Sequence, residues 1–484
     1  MNLAEYSSYD GTGLAALVRT RQVSPTELAK AALASIDKVN PKLNAVTALY
    51  RERIEALDEK SLPDGPFRGV PFMLKPIGIM EKGRPLGDLG TLLLQELDLP
   101  KASYDSYAVG RFRAAGLNII GRTVLPELAY TITVESPHQG TTHNPWHPEL
   151  LAGGSSTGAA VLTAAGVLPM AHASDAAGST RFPASVNGVI GLKPSRGRIS
   201  LGPDMSDITA LKSSHFVVTR TVRDTAAMLD YLHGGLSGES LIYRPPETSF
   251  AKEVGAAPGK LRIALSNMKW HTKELHPEVK AQLDVLGKRL EDLGHVVTAD
   301  KPAIDFDAYR DMYRSVYYMD GAVSISNIKP LVKGEVNLEK LQPLIRRILA
   351  KAGEFNYLDY AAAIQMTNVL ARKMGEFFQK YDVLLTPSLA EPVPRLGEYS
   401  LQSEMSSDAF LQKLLGCNQH FPLCNLAGVP AITLPVMETA GGIPLGAHFI
   451  AAMGEDARLI RLAAQLEEAL PWRGRRPAVH VANP

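Results

Sequence analysis

The sequence predicts an α/β protein, and three observations carry that reading. Helical and strand-like patterns alternate along the chain with glycines between them, as at residues 105–121, where DSYAVGRFRAAG reads as a helix and LNIIG as a strand. Short continuous apolar runs bounded by proline, DVLLTP at 382–387 and VPAITLP at 429–435, read as buried strands. The composition is ordinary for a globular chain, with 45% hydrophobic and 21% charged residues over 484 positions. A chain of that length buries a core large enough to need no disulfide or metal staple.

The remaining elements follow in order. Residues 12–38 read as two helices. Ser24-Pro25-Thr26-Glu27 opens the second, with Ser24 as cap, Pro25 in the first turn and Glu27 completing a capping box. Leu28, Ala31, Ala32, Ile36 and Val39 then fall at helical spacing. Residues 67–80, FRGVPFMLKPIGIM, form an apolar run read as a strand with one lysine, Lys75, near its end. Residues 144–203 are dense in Gly, Ser and Ala but contain ordered apolar blocks. An amphipathic helix over 274–294 ends at Gly294 and leads into a short strand, HVVTA. Residues 307–382 read as mostly helical and more polar, and 455–470 as an amphipathic helix. No internal repeat or flexible linker is visible, so one large domain over 1–484 with a helical insertion is expected, rather than separable modules.

Charge and composition exclude several functions. Lys plus Arg is 51 and Asp plus Glu is 50, so the net charge of +1 argues against a nucleic-acid partner. Two cysteines, Cys417 and Cys424, exclude a disulfide scaffold and fit a reducing cytoplasm. The N-terminus lacks a basic segment followed by an apolar one, and the longest apolar stretches, such as 159–173, are interrupted by Thr, Gly and Pro and too short to span a bilayer. A soluble cytoplasmic protein without a membrane partner is expected. The 12 histidines include no His-Glu-x-x-His, and Pro145 separates His143 from His147, so no metal site is expected. Neither a phosphate loop nor a dinucleotide fingerprint is present, and no cofactor is expected.

Serine chemistry is a different matter. Gly154-Ser155-Ser156-Thr157-Gly158 matches the Gly-x-Ser-x-Gly elbow, but no strand precedes it, so that match is weak. A stronger pattern joins three places: Lys75, then Gly153-Gly154-Ser155-Ser156, then Asp175-Ala176-Ala177-Gly178-Ser179-Thr180-Arg181-Phe182-Pro183. Ser155 and Ser179 lie 24 residues apart, and the helix and apolar segment between them can fold back to bring them together. A serine hydroxyl is a poor nucleophile until a base takes its proton. A lysine is a base only when neutral, and Lys75 sits among Pro71, Phe72, Met73, Leu74, Pro76 and Ile77, where lost hydration lowers its pKa. A second serine can relay the proton. The small residues before Ser179 leave backbone N–H groups free to hold an oxyanion, an effect of about 3–4 kcal/mol per donor.

These segments, in this order, resemble the amidase signature family, whose members use a Ser–cisSer–Lys triad. The flanks resemble it too: Gly188-Val189-Ile190-Gly191-Leu192-Lys193-Pro194-Ser195, Gly121-Arg122-Thr123, Pro126-Glu127, and Asn425-Leu426-Ala427-Gly428-Val429-Pro430-Ala431. The likeness runs from roughly residue 12 to 475. It implies a mixed, twisted β-sheet core covered by helices on both faces, with extra helical segments. It divides the chain into an N-terminal helical segment (1–65), a catalytic signature core (66–230) and a helical insertion bordering the substrate pocket (300–380). It makes Ser179 the nucleophile, Ser155 the bridging serine on a cis peptide, and Lys75 the base. The amides of Ala176, Ala177, Gly178 and Ser179 become the oxyanion hole, Asp175 and Arg181 hold the loop in shape, and Gly153 and Gly154 lie beside the substrate.

The chain departs from the family pattern in places. It has Ala177-Gly178-Ser179 for Gly-Gly-Ser, Ser155-Ser156-Thr157-Gly158 for Ser-Ser-Gly-Gly, Pro76 for Asp and Val124 for Asn. Ala177 should therefore avoid positive φ. The Asp-Ala-Ala-Gly-Ser form and residues 197–203 resemble the branch of 6-aminohexanoate cyclic-dimer hydrolases, near aryl acylamidases and carbamate-cleaving enzymes.

Ser156 is expected to cap the following helix. Tyr309, Tyr313 and Tyr317 share one helix face; such a stripe is usually packing, but Tyr313 and Tyr317 are candidates to line an apolar pocket. The 80–100 loop is a candidate pocket border, and Arg346, Arg347 and Lys351 read as a solvated helix face. The expected function is hydrolysis of non-peptide, rather apolar amides, anilides or carbamates, with esters allowed, from a small-molecule substrate and water. A homodimer is compatible with it. The alternatives are a glutamine-hydrolysing amidotransferase subunit and a non-catalytic binding protein of the same fold.

Overall fold

The computed structural model describes every residue except 88, 206–211, 242–244, 271–272 and 333. The strands among the described residues are β1 (Val46–Leu49), β2 (Pro71–Leu74), β3 (Asn118–Thr123), β4 (Glu135–Ser136), β5 (Gly140–Thr141), β6 (Met170–Asp175), β7 (Ile190–Lys193), β8 (Ser214–Thr219), β9 (Arg262–Leu265), β10 (Val296–Ala299), β11 (Val383–Pro387), β12 (Ala431–Glu438) and β13 (Pro444–Ala451). Eight of them form one mixed sheet in the order β10-β9-β11-β13-β12-β7-β8-β6. β10, β9 and β11 run parallel, and the pairings from β11 to β6 are antiparallel. A separate three-stranded sheet has the order β1-β3-β2, and β4 and β5 form a small hairpin.

Strand periodicity explains why both faces of the large sheet are covered. Successive side chains point to opposite faces. Ile263, Leu265, Val383, Leu385, Ile432, Leu434, Ala447 and Phe449 enter one hydrophobic core, shared with the N-terminal helices. The residues between them, Ala264, Leu384, Ala431 and Ile450, enter a second core, shared with the helices of 306–380. These strands are apolar without alternation because neither face meets water.

The predicted helix starts hold where capping chemistry was legible. Ser24 accepts from the Glu27 N–H, and the Glu27 carboxylate accepts from the Ser24 N–H, opening the helix Pro25–Leu43. Leu28, Ala31, Ala32, Ile36 and Val39 are buried along it. The helix Pro277–Asp292 and β10 replace the predicted 274–294 helix and following strand with small shifts at the ends. Both cysteines are buried and free. Among the described residues no helix is long and apolar enough to cross a membrane.

The structure adds what the pattern lacked. The apolar run 67–80 is a strand only over β2, which stops just before Lys75 and belongs to the small sheet, not the large one. The segment after the serine-rich turn becomes the helix Thr157–Ala164 followed by β6, which ends at Asp175. β2 lies against β6, and the Lys75 N–H donates to Nδ1 of His172 on β6 at 3.1 Å. That contact sets the lysine beside the loop that β6 feeds. β8 and β13 have no counterpart in the sequence reading; they are recognised by their pairing with β6, β7, β11 and β12.

Candidate active site

Lys75 is fully buried, with 0% exposure. Its Nζ lies 2.9 Å from Ser155 Oγ, 3.0 Å from Ser156 Oγ and 3.3 Å from the Ser174 carbonyl oxygen. Burial pulls its pKa down to about 7, against the opposing charge of Asp175. The Gly154–Ser155 peptide is cis. Ser156 stands at the N-cap position, but its hydroxyl does not cap the helix as expected. It is held instead by Ser174, donating to the carbonyl at 3.2 Å and accepting from the N–H at 3.3 Å, and it meets Lys75.

The loop after β6 is braced from within. Asp175 Oδ1 accepts from the Gly178 N–H (2.7 Å), Arg181 Nη2 (3.0 Å) and Asn425 Nδ2 (2.9 Å). Its Oδ2 accepts from the Thr180 N–H (3.2 Å) and Arg181 Nε (2.9 Å). Arg181 also donates to Asn425 Oδ1 at 2.6 Å and the Phe421 carbonyl at 3.1 Å, and its guanidinium lies 4.9 Å from the Phe421 ring centre. Burial would raise the Asp175 pKa, but Arg181 and these hydrogen bonds outweigh it and hold the carboxyl well below its usual range. Gly178 has φ +112°, and a Cβ there would come within 2.7 Å of the Phe421 side chain, so only glycine fits.

This bracing corrects the expected oxyanion cradle. The Gly178 N–H is already given to Asp175, which leaves the N–H groups of Ala176, Ala177 and Ser179 without an acceptor among the described residues. Ala177 keeps a negative φ, as its methyl requires. The Ser179 carbonyl accepts from the Ser156 N–H at 3.1 Å, which ties the two serine segments together. No hydrogen bond joins Ser179 Oγ to Ser155 Oγ among the described residues, but both side chains line one cavity of about 870 Å³.

Gly154, Ala176, Ala177 and Gly178 also line this cavity. Gly153 does not: it is packed on Pro183 and Val186, where a Cβ would approach within 2.7 and 2.6 Å, and so it differs from its expected place beside the substrate. Tyr313 and Tyr317, on the helix Phe306–Ile328, also line the cavity, with Tyr130, Val316 and Ile364. Tyr309, one turn earlier, stays in the second core, so the stripe divides between packing and cavity. Met80, Leu86, Leu89 and Leu94 bring the 80–100 loop into the lining, with Asp88 outside the described residues. The basic cluster differs from a solvated face: Arg346 pairs with Glu339, Arg347 donates to the Ser403 carbonyl, and Lys351 reaches Glu354 at 2.7 Å and Asp408 at 3.5 Å.

A family model described as Amidase matches residues 27–460. The chain belongs to the amidase signature family. It is 34% identical to the 6-aminohexanoate-cyclic-dimer hydrolase of Paenarthrobacter ureafaciens over 98% of this chain and 97% of that protein. A solved structure of 6-aminohexanoate cyclic dimer hydrolase superposes with a TM-score of 0.90 at 32% identity, covering 98% of this chain and 99% of the other. A bacterial aryl acylamidase of the same family shares the fold, with a TM-score of 0.84 at 23% identity over 96% of this chain and 99% of the other. The protein is thus a hydrolase of carbon–nitrogen bonds other than peptide bonds.

Sequence reasoning missed several groups around this amidase site. Asn425 was visible only as part of a motif, yet its amide bridges Asp175 and the Lys212 carbonyl, the latter at 2.8 Å. His172 and His215 stack behind Lys75, with His172 Nε2 3.1 Å from His215 Nδ1. Burial depresses the pKa of both rings, His215 to about 4. No spacing rule links positions 75, 172 and 215; only the packing of β2, β6 and β8 does.

Proposed function

We propose that this amidase cleaves neutral, largely apolar non-peptide amides through an acyl-enzyme on Ser179, with Ser155 as proton relay and Lys75 as base. The observation that carries the reading is a buried lysine with a pKa near 7 at 2.9 Å from Ser155 Oγ.

Proton accounting separates the two candidate relays. A neutral amine has one lone pair and two N–H donors. The Ser156 hydroxyl proton has an acceptor in the Ser174 carbonyl, so Ser156 receives from Lys75 and cannot give to it at the same time. The lysine lone pair is left for the Ser155 hydroxyl. Ser155 then accepts the Ser179 proton as Ser179 Oγ attacks the substrate carbonyl carbon, a contact that closes when substrate enters. The carbonyl π electrons move to oxygen, which the N–H groups of Ala176, Ala177 and Ser179 receive. Collapse breaks the carbon–nitrogen bond, and the proton returns through Ser155 to the leaving amine. Water, deprotonated along the same path, then hydrolyses the ester on Ser179.

The cavity supports an apolar substrate. Its tyrosine, valine, isoleucine and leucine side chains desolvate a ligand, beside a smaller set of polar groups that includes Lys212, Asp320 and Asn418. Cyclic amides, anilides and carbamates of the size hydrolysed by the cyclic-dimer relative suit it. An α-amino acid such as glutamine brings two further charges into this largely apolar wall. The free, buried cysteines accord with a cytoplasmic setting.

A panel of chromogenic anilides, esters, carbamates and cyclic and linear amides, run on wild type and Ser179→Ala, tests the reading. Turnover that disappears in Ser179→Ala, with fluorophosphonate labelling at Ser179, is expected. Strong glutamine turnover with none of nitroacetanilide or cyclic amide would overturn it in favour of an ammonia-releasing subunit. Failure of the fluorophosphonate to label Ser179 would favour a binding protein.

A further inference from the structure

Among the described residues the cavity wall holds an ion pair between two of its own lining side chains. Lys212, on the loop that leads into β8, meets Asp320 on the helix Phe306–Ile328, and both side chains line the cavity with Ser155 and Ser179. Side-chain exposure is 14% for Lys212 and 29% for Asp320. Burial lowers the Lys212 pKa, but Asp320 and its neighbours outweigh this and hold the ammonium above the ordinary lysine value. The Lys212 ammonium is therefore kept charged in a chamber whose wall is largely apolar but also carries Asp175, Asp204 and His215.

Two further observations make it a built site rather than a stray surface contact. Asn425 donates to the Lys212 carbonyl at 2.8 Å and to Asp175 Oδ1 at 2.9 Å, so Lys212 is fixed to the same brace that shapes the Ser179 loop. The Lys212 ammonium also lies 5.8 Å from the centre of the Tyr313 ring, which orients it along the wall. Yet the pair is incompletely satisfied: Asp320 meets Lys212 through Oδ2, and no described residue donates to its Oδ1. An ammonium has three donors and a carboxylate about four acceptor sites. Leftover donor and acceptor capacity therefore sits side by side on a wall that also carries Ser213, Ser324 and the tyrosines Tyr313 and Tyr317.

We infer that Lys212 and Asp320 form a recognition subsite for a second, non-reacting amide of the substrate, with Lys212 donating to its C=O and Asp320 accepting from its N–H. An amide is the small neutral group that presents one acceptor and one donor a short distance apart, and it leaves the ion pair intact. Carbamates and ureas share this pattern; a simple ester does not. The substrate class is thus a diamide, cyclic or linear, in which one amide is attacked by Ser179 while the other docks on the pair. This rests on the proposed reading of the cavity as the substrate site and adds which group the substrate must carry.

The test measures binding, so it does not depend on turnover. In the Ser179→Ala chain, calorimetry compares the cyclic dimer of 6-aminohexanoate with a lactam of the same ring size carrying a single amide. The diamide is expected to bind about tenfold tighter or more, as for a hydrogen-bonded pair with charged partners. Adding Lys212→Met with Asp320→Leu removes both charges together, so neither is left buried alone. The diamide should lose that advantage while the single-amide ring keeps its affinity. An unchanged preference, or equal loss for both rings, would overturn the inference. Should the double variant show no cooperative melting, Asp320→Asn decides by the same ratio, since it removes the charged acceptor and keeps the shape. A several-fold fall in preference supports the subsite, and no fall overturns it. Turnover of either ring by wild type, compared with Ser179→Ala, reports separately on the proposed chemistry.

Discussion

Two faces of the cavity are built on opposite principles. On one face, around Asp175 and Arg181, both carboxylate oxygens and each nitrogen of the guanidinium find a protein partner, and exposure is 1% or less. On the other, along the helix Phe306–Ile328, polar atoms are left over: among the described residues the Tyr317 hydroxyl has no partner and nothing donates to Asp320 Oδ1. Satisfaction of the Asp175–Arg181 pair braces a loop whose Ala176, Ala177 and Ser179 N–H groups have no acceptor among the described residues. Partial satisfaction leaves a wall that only a ligand completes. The proposed chemistry belongs to the first face and the proposed substrate selection to the second.

The comparison can be broken first at the rigid face. Ser179→Ala and Lys75→Ala should each lower kcat/KM for a nitroanilide by about 10⁴-fold or more, because the members of the proposed triad would act as a unit. Ser179→Ala should melt as wild type does. Arg181→Ala strips the partner from a buried carboxylate and should cost about 3–5 kcal/mol in denaturant unfolding. If Arg181→Ala unfolds like wild type, the brace is not what holds the loop.

The two serines beside Lys75 sharpen the same face. Ser155→Ala should lose as much activity as Lys75→Ala. Ser156→Ala, which removes a contact that positions the amine, should lower kcat by about tenfold with KM unchanged, the worth of one hydrogen bond. Equal losses in the two variants would leave the relay unassigned.

The pH dependence follows from the same burial. Lys75 is neutral above about pH 7, so kcat/KM should rise through about pH 7 and level off above it. For stability the sign is fixed by proton binding. The folded-state pKa of Lys75 is lowered from 10.5 to about 7, and so is that of the buried Lys193. Between those values the unfolded chain binds protons that the native chain does not, so stability should rise with pH across that window. Lys75→Met should flatten this rise in urea unfolding measured at successive pH values; an unchanged slope would mean the lysine is not buried neutral.

The smallest effect is expected at the wall. Tyr317→Phe removes a buried hydroxyl with no protein partner, so the variant should be as stable as wild type or more so by up to about 1 kcal/mol. Its nitroanilide kinetics should change less than those of the Ser155, Ser179 and Lys75 variants. A large loss of kcat/KM would show that the hydroxyl meets the substrate.

Much of the rigid face was legible in the chain. Lys75, Ser155, Asp175, Ser179 and Arg181 are set by short motifs, and a neutral lysine could be expected from its apolar neighbours alone. The α/β class was legible because proline-bounded apolar runs and glycine-punctuated helices are local signals. Within the same motifs, finer assignments were not legible. The Ser156 hydroxyl could cap or meet Lys75, and the Gly178 N–H could face an oxyanion or Asp175; each outcome depends on where β6 delivers the loop.

By itself, then, the sequence determined which chemical groups are present, in what order, and that they sit in strands and turns buried deeply enough to shift a lysine toward neutrality. Tertiary structure alone decided which hydroxyl meets that lysine, which amides remain free, and that Lys212 and Asp320 face each other across the cavity wall. The reason is range. Capping, turns and burial of a run are governed by neighbours a few residues away, whereas the partners of a side chain in a packed cavity come from elements whose separation along the chain carries no periodic signal.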